Sequence, residues 1–256
     1  MSYKNVIRGL YAPLVTPFHA DESIDFDGYK KVIDYVIDGG MDGVLLGGTT
    51  GEYHMMSLEE RKELIRRGCE IVNGRVKVIA GTGMTTAKAT VELTNYAADC
   101  GAQWALVLPP YYHFTTEDGI YEFFKEVAEG SKIGIIIYHT PGSTNVELSP
   151  ELIRKLAQID GIAAVKETID ETHTSDTYMA TRDIHDFCVM EANEPLLLPS
   201  YAIGIDAAFS IIFNLLPREM REMYDLIFQK NDLAAARKLN EKLYPIFHMM
   251  ESEPYP

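Results

Sequence analysis

The stretch GIIIYHTPGSTNVELSPELIRKLAQIDGIAAVKET, residues 134–168, carries the pattern that decides the fold. It opens with an apolar run that ends at Tyr138, passes through a turn rich in Pro and Gly, and reaches Ser149-Pro150, an N-cap serine with a first-turn proline. Apolar residues at helical spacing continue to residue 158, and a second apolar run ends at Lys166. Strand, helix and strand in this order predict two parallel strands joined by a crossover helix.

The same unit repeats along the chain, and one of its helices starts with a capping box of Ser57 and Glu60. Strands are expected at residues 9–15, 43–46, 76–80, 104–108, 134–138, 163–166, 187–191 and 207–212. Helices are expected at residues 27–38, 57–72, 86–100, 117–129, 149–158, 175–185, 195–203 and 217–229. Eight such units predict an α/β protein with a (β/α)8 TIM barrel, because that number of strands closes a sheet. A doubly wound open sheet is the alternative.

One further helix, at residues 231–250, is expected after the eighth unit. The chain then ends on Glu253-Pro254-Tyr255-Pro256, a turn-like segment. We therefore expect a catalytic barrel at residues 1–229 and a C-terminal helical segment at residues 230–256, which is either truncated or short.

Composition excludes several classes of function. The 256 residues include 38 acidic and 23 basic side chains, a net charge of −15, which repels nucleic acids and anionic membrane surfaces. Cys69, Cys100 and Cys188 form no CxxC pair, which favours a reducing compartment over a disulfide framework or a structural zinc site. No apolar run is long enough to cross a bilayer, and Met1-Ser2-Tyr3-Lys4-Asn5 does not open a signal peptide. A cytoplasmic protein is expected.

Active sites of TIM barrels lie at the carboxyl ends of the strands, so polar residues that follow the apolar runs are the candidates. Lys166 is the most informative of them, because an ammonium is rarely placed at the inner end of an apolar strand. A buried lysine whose amine is neutral is the nucleophile that forms a Schiff base with a ketone. The alternative is a lysine that turns outward to solvent at the last strand position.

Four other strand ends carry polar groups with open alternatives. Gly48, Thr49, Thr50 and Gly51 follow the second strand and could hold a carboxylate or phosphate, or form an ordinary glycine turn. The fourth strand leads to Tyr111-Tyr112 and the fifth to Tyr138, which are either functional or packing tyrosines. Glu191 and Asn193 follow the seventh strand and could bind substrate hydroxyls or cap the next helix. The histidines lack metal-binding spacing, so no metal site is expected.

At these positions the sequence resembles the dihydrodipicolinate synthase and N-acetylneuraminate lyase superfamily of pyruvate-handling class I aldolases. The resemblance extends over nearly the whole chain. Its basis is residues 48–52, Pro110-Tyr111-Tyr112, Tyr138 with Pro141, and Lys166 lying 28 residues after Tyr138.

The resemblance implies that Lys166 forms an imine with pyruvate or another 2-keto acid, and that Tyr138 shuttles protons. It implies that Thr49 and Thr50, with the amides of Gly48 and Gly51, hold the pyruvate carboxylate. Tyr112 would complete a Thr-Tyr-Tyr relay by reaching into a neighbouring subunit, in a homodimer or homotetramer. The covalent imine on Lys166 would replace any metal or organic cofactor.

The chain departs from the pattern of dihydrodipicolinate synthases. Ser143 stands where those enzymes usually carry an arginine that grips the second carboxylate, and His139 stands where they carry an asparagine. The residues typical of lysine-inhibited synthases (two His, an Asn and a Glu) are replaced by Leu58, Arg61, Thr85 and Ala89. Inhibition by lysine is therefore not expected.

Three hypotheses follow. Ser143 and Glu191, with His139 and Asn193 as further substrate contacts, favour an aldolase that joins pyruvate to a hydroxylated aldehyde or keto acid, or cleaves the product. The first alternative is 4-hydroxy-tetrahydrodipicolinate synthase, which condenses pyruvate with aspartate semialdehyde. The second is a non-catalytic barrel that binds keto acids, although binding alone does not require an imine-forming amine.

Overall fold

The computed structural model describes residues 7–113 and 115–251. The expectations for Met1 to Asn5 and for Glu253 to Pro256 lie outside these residues.

Eight parallel strands close into a barrel in which each strand pairs with its neighbours in sequence and the first pairs with the last. The strands are β1 (Gly9–Pro13), β2 (Gly43–Leu46), β3 (Lys77–Gly81), β4 (Trp104–Val107), β5 (Gly134–His139), β6 (Ile162–Glu167), β7 (Cys188–Glu191) and β8 (Ala207–Phe209). This confirms the predicted TIM barrel over the doubly wound sheet.

Ten α-helices lie in the described part of the chain, and they surround the barrel. They are α1 (Phe26–Asp38), α2 (Leu58–Val72), α3 (Ala87–Cys100), α4 (Glu117–Gly130), α5 (Pro141–Thr144), α6 (Pro150–Leu156), α7 (Glu171–Thr181), α8 (Leu197–Ile203), α9 (Pro217–Phe228) and α10 (Leu233–Glu251). Both predicted helix starts are present: Ser57 and Glu60 form a capping box, and the Ser149 side chain accepts a hydrogen bond from Leu152. No helix among the described residues is long and apolar enough to span a membrane.

Helix α7 begins four residues earlier than predicted and ends earlier as well. Asp170 is its N-cap, and its carboxylate accepts the backbone N–H of His173. The buried face of the helix consists of Thr174, Thr177 and Thr181 rather than apolar residues. Hydrophobic spacing therefore could not locate this helix.

Strand β8 is shorter than predicted, because the chain turns after Phe209. The Ser210 hydroxyl and the Ile211 backbone N–H both donate to the Glu194 carboxylate, and a short 3-10 helix, Ile211–Asn214, follows. The apolar residues beyond position 209 belong to this turn. The prediction of a strand to residue 212 was wrong.

Side chains alternate between the interior of the barrel and the layer of helices. The interior is filled by a cluster that includes Tyr11, Trp104, Ile136 and Phe209. Two larger apolar clusters lie between the strands and the helices. Helix α10 contributes Ala236, Leu243 and Phe247 to one of these. The division of the chain at residue 229 stays a prediction.

Candidate active site

Lys166 lies inside the barrel at the carboxyl end of β6, directly opposite Tyr138 on β5. Its residue is only 8% exposed, and its Nζ lies 4.0 Å from the centre of the Tyr138 ring and 5.3 Å from that of Phe209. Among the described residues, no carboxylate lies within 4.0 Å of this amine. The lysine has not turned outward to solvent, and aromatic rings rather than an acidic partner surround its amine.

Tyr138 connects Lys166 to the loop after β2. Its hydroxyl oxygen lies 3.5 Å from Thr49 Oγ1, at the long end of hydrogen-bond distance. Burial alone would raise the pKa of this phenol, but the positive charge of Lys166 and hydrogen bonding with Thr49 outweigh burial and lower the pKa below its usual value. A buried phenol with a lowered pKa is suited to move a proton at this position.

The loop after β2 packs closely against the neighbouring strand β3 because both residues at their contact are glycines. Gly47 has a φ of +65°, and a Cβ on Gly81 of the neighbouring strand would lie 2.1 Å from the Gly47 carbonyl oxygen. Gly48 then leads into a short 3-10 helix, Thr49–Gly51. Gly48, Thr49 and Tyr138 line one pocket, which supports their predicted place at the site. Thr50 is half-buried in the same turn.

Gly51 has a packing role in this loop. Its carbonyl oxygen accepts a hydrogen bond from the Thr16 hydroxyl at 2.8 Å, and a Cβ would lie 2.8 Å from the Leu14 carbonyl oxygen. Both contacts are with the segment after β1. Gly51 therefore holds the loop against β1, in addition to any contact of its amide with a ligand.

Arg61 also lines this pocket, a position that the sequence pattern does not predict for it. The guanidinium is buried, donates to the carbonyl oxygens of Gly81 and Gly83, and stacks on the Tyr53 ring at 4.8 Å. Burial lowers its pKa, and no carboxylate in the described part of the chain forms an ion pair with it. It adds a positive charge beside the candidate anion-binding loop.

Tyr112 does not reach this pocket within one chain. It is 79% exposed, and its ring packs on His113 with 4.9 Å between ring centres. Thr49 and Tyr138 are therefore the two members of the expected relay that a single chain brings together.

His139 lies on the outer side of the sheet, so the expectation that it contacts substrate is not supported. It follows the inward-facing Tyr138 and is fully buried toward the helices. Its Nδ1 lies 2.8 Å from Glu167 Oε2, and its Nε2 accepts the backbone N–H of Leu148 at 2.9 Å. Both ring nitrogens are therefore occupied.

Glu191 and Asn193 likewise have structural partners in place of a substrate. Glu191 is fully buried and accepts hydrogen bonds from the backbone of Ala192 and Asn193 and from the Ser200 hydroxyl. Burial is the largest cause that raises the pKa of Glu191 to about 7. The Asn193 side chain donates to the Ile169 carbonyl oxygen. These contacts are with the turn after β7, with α8 and with the segment after β6, and neither side chain caps the short 3-10 helix, Glu194–Leu196, that follows. The expectation that both residues bind substrate stays a prediction without support from these contacts.

Ser143 lies on α5, the short helix that follows β5, and its side chain is exposed. The neighbouring Gly142 also faces open space. Ser143 thus lies at the end of the barrel that carries Lys166, and its contact with a second substrate stays a prediction.

Comparison with known proteins identifies the family of the chain. A model of the dihydrodipicolinate synthetase family matches residues 6–256. The chain belongs to this family. It is 35% identical to the 4-hydroxy-tetrahydrodipicolinate synthase of Methanocaldococcus jannaschii, over 98% of this chain and 86% of that protein. It is 36% identical to the same enzyme of Leptospira biflexa, over 98% and 85% of the two chains.

Solved structures of the family have the same fold. The dihydrodipicolinate synthase of Aquifex aeolicus is 34% identical, with a TM-score of 0.91 over 98% of this chain and 85% of that chain. YagE, a prophage protein of Escherichia coli K12 solved in complex with pyruvate, is 30% identical, with a TM-score of 0.93 over 97% and 84%. Membership of the dihydrodipicolinate synthetase family confirms the predicted class, a pyruvate-dependent lyase of the class I aldolase type.

Proposed function

We propose that Lys166 of this dihydrodipicolinate synthetase family member forms a Schiff base with the keto carbon of pyruvate. The observation that carries the proposal is a buried amine that lies opposite Tyr138 and has aromatic neighbours. Within the part of the chain that the structure describes, it has no acidic partner. An amine held inside the barrel beside a phenol is the arrangement that imine formation with a ketone uses. The pyruvate complex of YagE gives independent support for the substrate.

The other residues have the following proposed roles. The amine of Lys166 adds to C2 of pyruvate, the carbonyl oxygen leaves as water, and a protonated imine forms. Loss of a C3 proton gives an enamine, which attacks the carbonyl carbon of the second substrate; the reverse sequence cleaves that bond. Tyr138 moves these protons, with Thr49 as its neighbour. Thr50 and the amides of Gly48 and Gly51 hold the pyruvate carboxylate. The chemistry uses no metal or organic cofactor.

For the second substrate we propose a hydroxylated aldehyde or keto acid. The support is Ser143, which is neutral and exposed. In the dihydrodipicolinate synthases that this chain resembles, this position usually carries an arginine that binds a carboxylate. Glu191 gives no support for this substrate, because both its carboxylate oxygens already accept hydrogen bonds from the protein. The rival substrate is aspartate semialdehyde, favoured by the names of the relatives that are 32–36% identical.

We further propose that the protein acts as a homodimer or homotetramer. The support is Tyr112, whose ring is too exposed for a single chain to explain its expected role. A dihydrodipicolinate synthase variant described as monomeric, 29% identical to this chain, shows that the fold alone does not impose assembly. Three free cysteines and the acidic surface support a cytoplasmic location.

Steady-state assays decide between the two substrates. Pyruvate is offered with aspartate semialdehyde or with a series of hydroxylated aldehydes, and pyruvate consumption is followed for the wild type and Lys166→Arg. We expect efficient turnover with a hydroxylated aldehyde and loss of turnover in the variant. Condensation with aspartate semialdehyde at kcat/KM near 10⁴ M⁻¹ s⁻¹, on the order of ordinary enzymes, would instead establish the synthase. No turnover with any partner would favour the non-catalytic barrel.

A further inference from the structure

A buried cluster of titratable side chains lies directly behind the reacting residues, on the outer side of the sheet. It consists of His139 on β5, Glu167 on β6 and His173 on α7, and we refer to it as the His-Glu-His cluster. His139 follows Tyr138 in the chain and Glu167 follows Lys166. The proposed reaction uses none of these three groups.

The hydrogen bonds determine where most of the protons lie. His139 Nε2 accepts the backbone N–H of Leu148, so its proton is on Nδ1, which donates to Glu167 Oε2 at 2.8 Å. His173 Nε2 lies 2.9 Å from the Leu148 carbonyl oxygen and must donate to it. His139 is thus neutral, and His173 carries a proton on Nε2.

The protonation of His173 Nδ1 depends on its contacts with Glu167 and Thr177. It lies 3.6 Å from Glu167 Oε1, within ion-pair distance, and 3.4 Å from the Thr177 hydroxyl oxygen. Glu167 Oε1 is fully buried and has no hydrogen-bond partner within residues 7–113 and 115–251. An unprotonated Nδ1 would place a lone pair toward this unpartnered carboxylate oxygen, whereas a proton on Nδ1 would compensate the buried negative charge.

A second buried carboxylate increases the need for a positive charge beside Glu167. Glu191 on β7 is the register partner of Glu167 and is also fully buried, so two carboxylates lie side by side. Burial first, and the charge of Glu167 to a smaller extent, raise the pKa of Glu191 to about 7. Helix α7 contributes only His173 and Thr177 to the immediate contacts of the cluster. His173 is therefore the residue of α7 that can place a positive charge beside Glu167.

The cluster is not a convincing metal site despite its close donor atoms. A metal on His139 Nδ1 would force the ring proton onto Nε2, where it would oppose the N–H of Leu148. A metal on His173 would likewise have to replace the proposed proton on Nδ1. The ring nitrogens and carboxylate oxygens of the cluster are therefore better suited to share protons than to bind a metal ion.

The bonds of the cluster connect the segment after Tyr138 to the strand of Lys166. Both backbone groups of Leu148 are held, one by each histidine, and the Thr168 hydroxyl donates to the His139 carbonyl oxygen at 2.8 Å. The segment fixed in this way, residues 140–148, includes Ser143.

We infer that the His-Glu-His cluster, with a cationic His173 paired to Glu167, positions Tyr138 and the segment 140–148 relative to Lys166. His173 is thus a positioning residue for proton transfer and second-substrate binding. This inference rests on the proposed function. Misplacing a reacting group by about 1 Å costs roughly 100-fold in rate, so removing the charge should reduce kcat far more than it changes KM for pyruvate.

The test compares His173→Gln with the wild type and with His185→Gln, a control on an exposed histidine outside the cluster. We expect kcat of His173→Gln to fall by about 10- to 100-fold, with KM for pyruvate within about threefold and both parameters unchanged in the control. Unchanged kcat in His173→Gln would overturn the inference. A loss of kcat/KM of the same size that came only from a higher KM for pyruvate would also overturn it.

Nitrogen-15 NMR of the wild-type imidazoles tests the charge directly, and remains decisive if His173→Gln fails to fold. The His173 signals are identified by their absence from the spectrum of a His173 variant, or by backbone assignment. They should show both ring nitrogens of His173 protonated at pH 7. An unprotonated Nδ1 would overturn the assignment. Trapping of a pyruvate imine in the wild type checks the proposed function separately, because its failure leaves the NMR result unaffected.

Discussion

Replacing Glu191 by Gln should stabilise the protein at alkaline pH and have little effect under acidic conditions. The carboxyl group is fully buried at the end of β7, and burial is the main cause that raises its pKa from 4.5 to about 7. Each pKa unit corresponds to about 1.4 kcal/mol, so ionising Glu191 costs ~3 kcal/mol more in the folded protein than in the unfolded chain.

The sign follows from proton binding. Between pH 4.5 and about 7 the folded protein keeps the Glu191 proton that the unfolded chain has lost. Stability therefore falls as pH rises through this interval, and the full cost is present above it. A Gln side chain accepts the same two backbone N–H groups and can donate to the Ser200 hydroxyl, so it keeps the contacts without the charge.

Urea unfolding of the wild type and Glu191→Gln, followed by circular dichroism from pH 4.5 to 8.5, measures the difference. We expect the free energy of unfolding of the variant to exceed that of the wild type by ~1 to 3 kcal/mol at pH 8.5, and the two to converge near pH 4.5. Glu241→Gln, at an exposed position, should show no such trend. A difference that does not change with pH, or a variant less stable at pH 8.5, would refute the reasoning.

Two further substitutions test the site and its scaffold. Tyr138→Phe removes the proposed proton carrier and should lower kcat by about 10²- to 10⁴-fold while the folded state persists, as measured by steady-state kinetics and circular dichroism. Gly81→Ala places a methyl group where the Gly47 carbonyl oxygen lies 2.1 Å from the new atom, and should cost ~1 to 3 kcal/mol in thermal unfolding. Gly142→Ala is the matched control, because its new methyl meets no atom of the described residues within 4 Å. Equal losses in both variants would contradict the packing argument.

The sequence predicts the barrel well because its strands are buried on both faces and read as apolar runs between helical patterns. The sequence does not predict elements whose buried face or end is formed by polar residues. Helix α7 presents buried threonines, and β8 ends where Glu194 binds the backbone, so neither feature has a hydrophobic signature. The short helix α5 contains too few residues to show any periodicity.

The structure places a predicted site residue inside or outside the barrel according to the face of the strand that the residue occupies. Lys166 and Tyr138 were identified from their place at the ends of apolar runs, and the structure brings both into the barrel. His139 and Glu191 were chosen by the same rule without asking which face they occupy. Since neighbouring strand residues point to opposite faces, the residue after an inward Tyr138 points outward. This alternation alone would have removed His139, whereas the burial of Arg61 depends on packing between a helix and loops.

Borohydride reduction in the presence of pyruvate, followed by intact mass and peptide mapping, tests the central claim most directly. We expect one reduced pyruvate adduct per chain, located on Lys166, and none in a folded Lys166→Ala variant. An adduct on another lysine, or no adduct with folded wild-type protein, would contradict the assignment of Lys166 as the imine-forming residue.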